Sequence, residues 1–129
     1  MAPTAPVSSE ARGDGLHVLV IDDDPIVAAA LQATVAATGA TVLIGWTFGQ
    51  GLDLLRTEKG LHAVFIDDRL DDGRTADELI QIAQQRGVIV ILTSAVDDLG
   101  ERPGLLILAK PYSHVQVRRV VTALKRALV

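Results

Sequence analysis

From about residue 16 onward, short apolar runs alternate with stretches of helical periodicity. The runs His17–Ile21, Thr41–Trp46, Ala63–Ile66, Val88–Leu92 and Leu105–Leu108 are brief and rich in β-branched and other apolar residues, the pattern of strands. Between and after them, Ile26–Ala37, Gln50–Glu58, Thr75–Arg86 and Val115–Leu128 space their apolar positions as helices do. Such alternation predicts parallel strands joined by crossover helices. Val18–Ile21 and Val88–Leu92 are apolar at every position, so both faces of those strands need cover. The prediction is an α/β domain with a five-stranded, doubly wound parallel sheet and helices on both faces.

The punctuation agrees. Asp24-Pro25 reads as an N-cap followed by Pro at the first helical position, and Gly39 and Gly87 stand where helices should stop. In the last helix Val117, Val120, Val121, Leu124 and Leu128 form an apolar face, with Arg118, Arg119, Lys125 and Arg126 at other positions. One connection breaks the pattern. Ser94–Gly104, SAVDDLGERPG, holds two glycines and a proline and has little periodicity. It must still cross over to keep the fifth strand parallel, so an atypical short helical turn or a partly ordered segment is expected there.

Composition narrows the class. At 129 residues, 49% of them hydrophobic, the chain has material for one compact core. Twelve basic against 16 acidic residues give a net charge of −4 without any basic run, which argues against nucleic acid or an acidic membrane as a partner. There is no cysteine, hence no disulfide framework or thiolate metal site, and this fits the cytoplasm. Residues 1–15, MAPTAPVSSEARGDG, lack the apolar centre of a signal peptide and read as a flexible tail, leaving 16–129 as the domain. No apolar run approaches the roughly 18 to 20 residues that span a bilayer. A soluble domain that ends with its fold is expected.

The candidate chemistry lies where apolar runs end. Asp22-Asp23-Asp24 follow Val18–Ile21 directly, and Asp67-Asp68 follow Ala63–Ile66. Carboxylates crowded at the ends of buried strands repel one another and cost desolvation, so they persist mainly where a cation or phosphoryl group uses them. Thr93 and Ser94 fall at the end of the fourth run, and Lys110, before Pro111, just beyond the fifth. In an open parallel sheet, ligands bind beyond the carboxyl ends of the strands, so all these residues share one edge. The set suits phosphoryl transfer to a carboxylate. Acids hold a hard cation such as Mg²⁺, one carboxylate is the nucleophile, and a hydroxyl and an ammonium contact the phosphoryl oxygens.

The segments VLVIDDDP, FIDDRLDDG, VILTSA and LAKPYS, in that order, resemble the receiver domain of bacterial two-component response regulators, over Leu16 to Val129. The resemblance implies a flavodoxin-like sheet of receiver type with strand order 2-1-3-4-5. It makes Asp22 and Asp23 the metal-binding acidic pair, Asp67 the phosphoacceptor, Thr93 the switch hydroxyl and Lys110 the phosphate-contacting lysine. Asp67 is also a metal ligand, and the backbone carbonyl of Arg69 completes the Mg²⁺ shell. Aligning Arg69-Leu70 and Asp72-Gly73 with the loop after the acceptor selects Asp67 over Asp68. The implied donor is a histidine kinase or histidine phosphotransfer protein, and a downstream protein target reads the result. Such a domain is not an enzyme beyond assisting its own phosphorylation and dephosphorylation, and is a monomer or weak dimer. Arg69 and Ala95 occupy positions that tune hydrolysis in the family; Ala95 offers no polar group to orient water, so slow dephosphorylation is expected.

The chain departs from the family after Thr93. Only 17 positions separate Thr93 from Lys110, fewer than in the common receiver, and the loss falls in the fourth helix. Ile107 and Leu108 stand where the family often has a switch aromatic. Ordering or release of Asp97–Gly104 is the expected readout in its place. The short connection also resembles a single-domain receiver subgroup with a degenerate fourth helix, linked in alphaproteobacteria to general stress signalling.

Other residues carry plainer expectations. Asp24 is a helix cap, and Asp71-Asp72-Gly73 is turn chemistry. His17, His62 and His114 lie on separate elements without ligand spacing, Tyr112 packs near the top of the last helix, and Trp46 is a packing residue. Two competing functions stand beside the receiver. One is a haloacid-dehalogenase-type phosphohydrolase using Asp22 of Asp22-x-Asp24 as nucleophile; the other is a docking module that never cycles phosphate.

Overall fold

The computed structural model describes residues 15–70, 75–95 and 104–128. The tail 1–14, the turn Asp71-Asp72-Gly73 and most of the short connection, residues 96–103, lie outside the described residues. Five strands, β1 (His17–Ile21), β2 (Thr41–Gly45), β3 (Ala63–Asp67), β4 (Ile89–Ala95) and β5 (Leu106–Lys110), pair in parallel in the order β2-β1-β3-β4-β5. Four helices are described: α1 (Pro25–Ala36), α2 (Phe48–Thr57), α3 (Asp77–Gln85) and α4 (His114–Ala127). None is long and apolar enough to cross a membrane.

The period of two along each strand divides the core. Val18, Val20, Ala63, Phe65, Ile91 and Leu108 face α1 and α4, packing on Ala28, Leu31, Val35, Val117, Val121 and Leu124. Leu19, Ile21, Val64, Ile66, Val90 and Leu92 face α2 and α3, packing on Phe48, Leu55, Leu79, Ile80 and Ala83. β1 and β3 are thus covered on both sides, as their apolar sequences require.

Several boundaries differ from the sequence expectation. β4 runs past Leu92 through Thr93, Ser94 and Ala95, and β5 continues to Lys110, because Thr93 pairs with Asp67 on one side and Leu108 on the other, and Ala95 with Lys110. The backbone ladder continues where the side chains turn polar. α2 starts at Phe48, ahead of the expected Gln50: the Thr47 hydroxyl accepts from Gln50 N at 3.1 Å and Gln50 Oε1 accepts from Trp46 N at 2.8 Å. α3 starts at Asp77, since Thr75 bridges back to Arg69. Leu128 caps the end of α4 and is exposed rather than packed. Trp46, expected to pack, is 40% exposed.

One close approach fixes the ground on which the acids stand. A Cβ on Gly45 would lie 2.9 Å from Gly51 Cα, and one on Gly51 would lie 2.6 Å from Ile21 Cδ1. Glycine at both positions lets α2 press against the ends of β1 and β2, where Asp22 N donates to Gly45 O at 3.2 Å.

Candidate functional site

Asp22 leaves β1 into a turn that its own side chain builds. Its Oδ1 accepts from Asp24 N at 2.9 Å, while Asp24 caps α1 by accepting from Ile26 N at 2.9 Å and Val27 N at 3.3 Å. Asp24 is therefore spent on the helix, as its place before Pro25 predicts. Asp22 is only 2% exposed. Burial pushes its carboxyl up to about 6; Asp67 and Asp23 add to the rise, and the Asp24 N–H and the Lys110 charge oppose it.

β3 delivers Asp67 as its last residue, paired with Thr93 of β4. One carboxylate oxygen from each of Asp22, Asp23 and Asp67 lies within 4.8 Å of the others. Three oxygen donors converging on one point, one of them a buried acid whose charge is unfavourable alone, form a donor set that fits a hard divalent cation. Lys110 Nζ, from the end of β5, stands 3.2 Å from Asp67 Oδ1, and Arg69 N donates to the same oxygen at 3.3 Å. Arg69 is thereby held beside the cluster. The buried Thr93 hydroxyl makes one long bond, donating to Ile66 O at 3.5 Å.

The neighbouring acid goes elsewhere. Asp68 N donates to Thr93 O at 2.9 Å, and its carboxylate accepts from Ser94 Oγ at 3.2 Å. Asp67 joins the acidic cluster, whereas Asp68 is bound to the end of β4. Ser94, which the sequence grouped with Thr93, pairs with Asp68.

Three features were missed in the sequence. Tyr112, past the cis Lys110–Pro111 peptide, buries its hydroxyl without a hydrogen-bond partner among the described residues. Burial pushes its phenol up to about 12, helped by the charges of Asp22 and then Asp67. Its position two residues after Lys110 was the available signal. With Ile26, Val27, Ala30, Lys110 and Pro111, it lines a groove of about 480 Å³. At the opposite, amino ends of the strands, His17 and His62, on separate elements and without ligand spacing in the sequence, meet with ring centroids 5.8 Å apart. Trp46 directly follows Gly45, whose carbonyl holds Asp22.

No protein-family model matches the chain, and no curated protein matches it. Solved structures do. A response regulator receiver protein from Sinorhizobium medicae superposes with a TM-score of 0.78 at 19% identity, covering 88% of this chain and 96% of that one. The chain has the fold of a response regulator receiver domain. The PhyR receiver domain of Erythrobacter litoralis matches this chain with a TM-score of 0.75 and 28% identity over 88% of this chain and 92% of that one. A PhyR stress response regulator matches with a TM-score of 0.71 and 29% identity, over 87% of this chain and 46% of the longer one.

Proposed function

We propose that the chain is a phosphoacceptor receiver, taking a phosphoryl group onto Asp67 from a histidine kinase or histidine phosphotransfer protein and signalling to a protein partner in the cytoplasm. The observation that carries this reading is the convergence of Asp22, Asp23 and Asp67 within 4.8 Å, with Lys110 Nζ 3.2 Å from Asp67. In the step proposed, an Asp67 oxygen attacks the phosphorus of a phosphohistidine. The P–O bond forms, the P–N bond breaks, and the imidazole leaves with the bonding pair. Lys110 offsets the charge gathering on the acceptor and phosphoryl oxygens, and the Thr93 hydroxyl is the donor for another. Mg²⁺, when bound, would neutralise phosphoryl charge, held by Asp22, Asp23, Asp67 and the Arg69 carbonyl.

Asp67 suits the nucleophile better than Asp22. Its side chain is 12% exposed, against 2% for the whole of Asp22, so an incoming phosphoryl group meets Asp67 first. That weighs against a dehalogenase-type phosphohydrolase. Likeness to PhyR, together with the short link after Thr93, supports a place in stress signalling. Incubation with Mg²⁺ and a small phosphodonor, followed by intact mass, tests the proposal. Wild type is expected to gain one phosphoryl group and Asp67→Asn none; labelling that survives in Asp67→Asn sinks it.

A further inference from the structure

Tyr112 is the one tyrosine of the chain, and its ring packs against the core formed by β1, α1 and α4. Its Oη is closed off from solvent and has no hydrogen-bond partner among the described residues. A buried hydroxyl left unpaired costs about 1 to 3 kcal/mol, which is why buried tyrosines ordinarily find an acceptor. Phenylalanine would fill the same space without that cost, so packing alone leaves the oxygen unexplained.

Two carboxylates, Asp22 and Asp67, act electrostatically on it. Tyr112 and Lys110 line one groove, Lys110 reaches Asp67, and the ligand atoms of Asp67 and Asp22 lie within 4.8 Å of each other. Asp67 Oδ1 already receives two donors, Lys110 Nζ and Arg69 N. Among the described residues Asp22, the more buried acid, receives one, Asp24 N on Oδ1. After burial, Asp22 is the larger of the two charges acting on the phenol. A carboxylate that turns toward a cation is held in place by donors on its remaining lone pairs.

We infer that Tyr112 is a positioning residue for Asp22, its hydroxyl donating to the Asp22 carboxylate when that carboxylate holds a cation; the inference rests on the cation site proposed above. The cation-loaded protein is then the state in which the Tyr112 hydroxyl is satisfied, and the bond in turn fixes the Asp22 carboxylate.

The test uses the full chain and Mg²⁺ alone. Binding is read from the fluorescence of Trp46, the one tryptophan, which follows the glycine that holds Asp22. The hydrogen-bond state of Tyr112 is read from the tyrosine doublet in ultraviolet resonance Raman spectra, unambiguous because no second tyrosine is present. Tyr112→Phe is expected to weaken Mg²⁺ binding about 10-fold while leaving the thermal midpoint without Mg²⁺ equal or higher. In wild type, Mg²⁺ is expected to move the doublet toward the donor state, a measurement that needs no variant. Equal Mg²⁺ affinity in the two proteins, or a doublet that Mg²⁺ leaves unchanged, overturns the inference and spares the cation site. Wild type that binds no Mg²⁺ overturns both.

Discussion

Lys110 Nζ lies 3.2 Å from Asp67 Oδ1, a pair formed across 43 positions of sequence because β4 and β5 run in parallel and end at the same edge as β3. The ammonium is partly exposed, at 31% of its side chain, so the pair adds less than about 1 kcal/mol to stability. On the proposed reading its value is chemical, since it places a positive charge where phosphoryl charge would gather.

Lys110→Ala should therefore fold and melt close to wild type yet accept phosphate slowly. Removing one preorganised charge donor from such a site costs on the order of 100-fold in rate. Time-resolved intact mass with a small phosphodonor measures it. A wild-type labelling rate in Lys110→Ala would show that the pair is structural only.

Asp22 predicts a pH-dependent stability of unusual sign. Its folded value of about 6 lies above the ordinary 3.8, so the folded state holds its proton longer than the unfolded state. The stabilisation is complete below about 3.8 and is lost as the pH rises through about 6. Asp22→Asn keeps the neutral form at every pH. Without Mg²⁺ it should gain on wild type as the pH rises, by roughly 3 kcal/mol at most above pH 6. Mg²⁺ should stabilise wild type and leave Asp22→Asn unmoved. Urea unfolding at several pH values, with and without Mg²⁺, reads both effects; a constant difference between the two proteins would refute the burial argument.

Gly45→Ala tests how the site is anchored. The new methyl would sit 2.9 Å from the backbone of Gly51, which cannot swing aside as a side chain can. α2 must move off the sheet, and overpacking of this kind costs about 1 to 3 kcal/mol. Because Gly45 O holds Asp22 N, weaker Mg²⁺ binding should accompany the lower unfolding midpoint. An unchanged midpoint would mean that the approach is looser than the geometry requires.

The parts legible in the sequence were those set by local pattern. Val18–Ile21 followed by acids, and Asp24 before Pro25, announce a buried strand, a charged edge and a cap within a few residues. What escaped depended on partners far along the chain or on competing local signals. β4 was cut at Leu92 because Thr93 and Ser94 are polar, yet their backbones pair with β3 and β5. The start of α2 was hidden because Gly49 and Gly51 depress helix propensity, while the Thr47–Gln50 cap and the packing of Phe48 override them. Leu128 followed the apolar period beyond the point where the sheet has anything to cover. Tyr112 looked like a packing residue since a sequence cannot show that a hydroxyl is buried without a partner. The roles of Asp67 and Asp68, one residue apart, separate in space according to which neighbour each meets, Lys110 or Ser94.

His62 offers a pH effect of the opposite sign at the other end of the sheet. Its Nδ1 accepts from His17 N at 2.9 Å, and its own N donates to His17 O at 2.8 Å, a two-bond clip where β1 and β3 begin. A nitrogen that accepts cannot also carry a proton. Burial, and then the nearby His17, holds the imidazole below the usual 6.5. The clip thus contributes fully above 6.5 and is lost as the pH falls through the lowered folded value. Asp22 works in the other direction over an overlapping acid range, so each variant must be compared with wild type at the same pH. His62→Asn, whose side-chain oxygen can accept from His17 N without titrating, should resist acid better than wild type below pH 6.5. His62→Ala orphans a partly buried N–H and should lose about 1 to 2 kcal/mol at neutral pH. If all three proteins lose stability in parallel on acidification in urea unfolding, His62 is no part of the acid response, and the clip is only a strand contact.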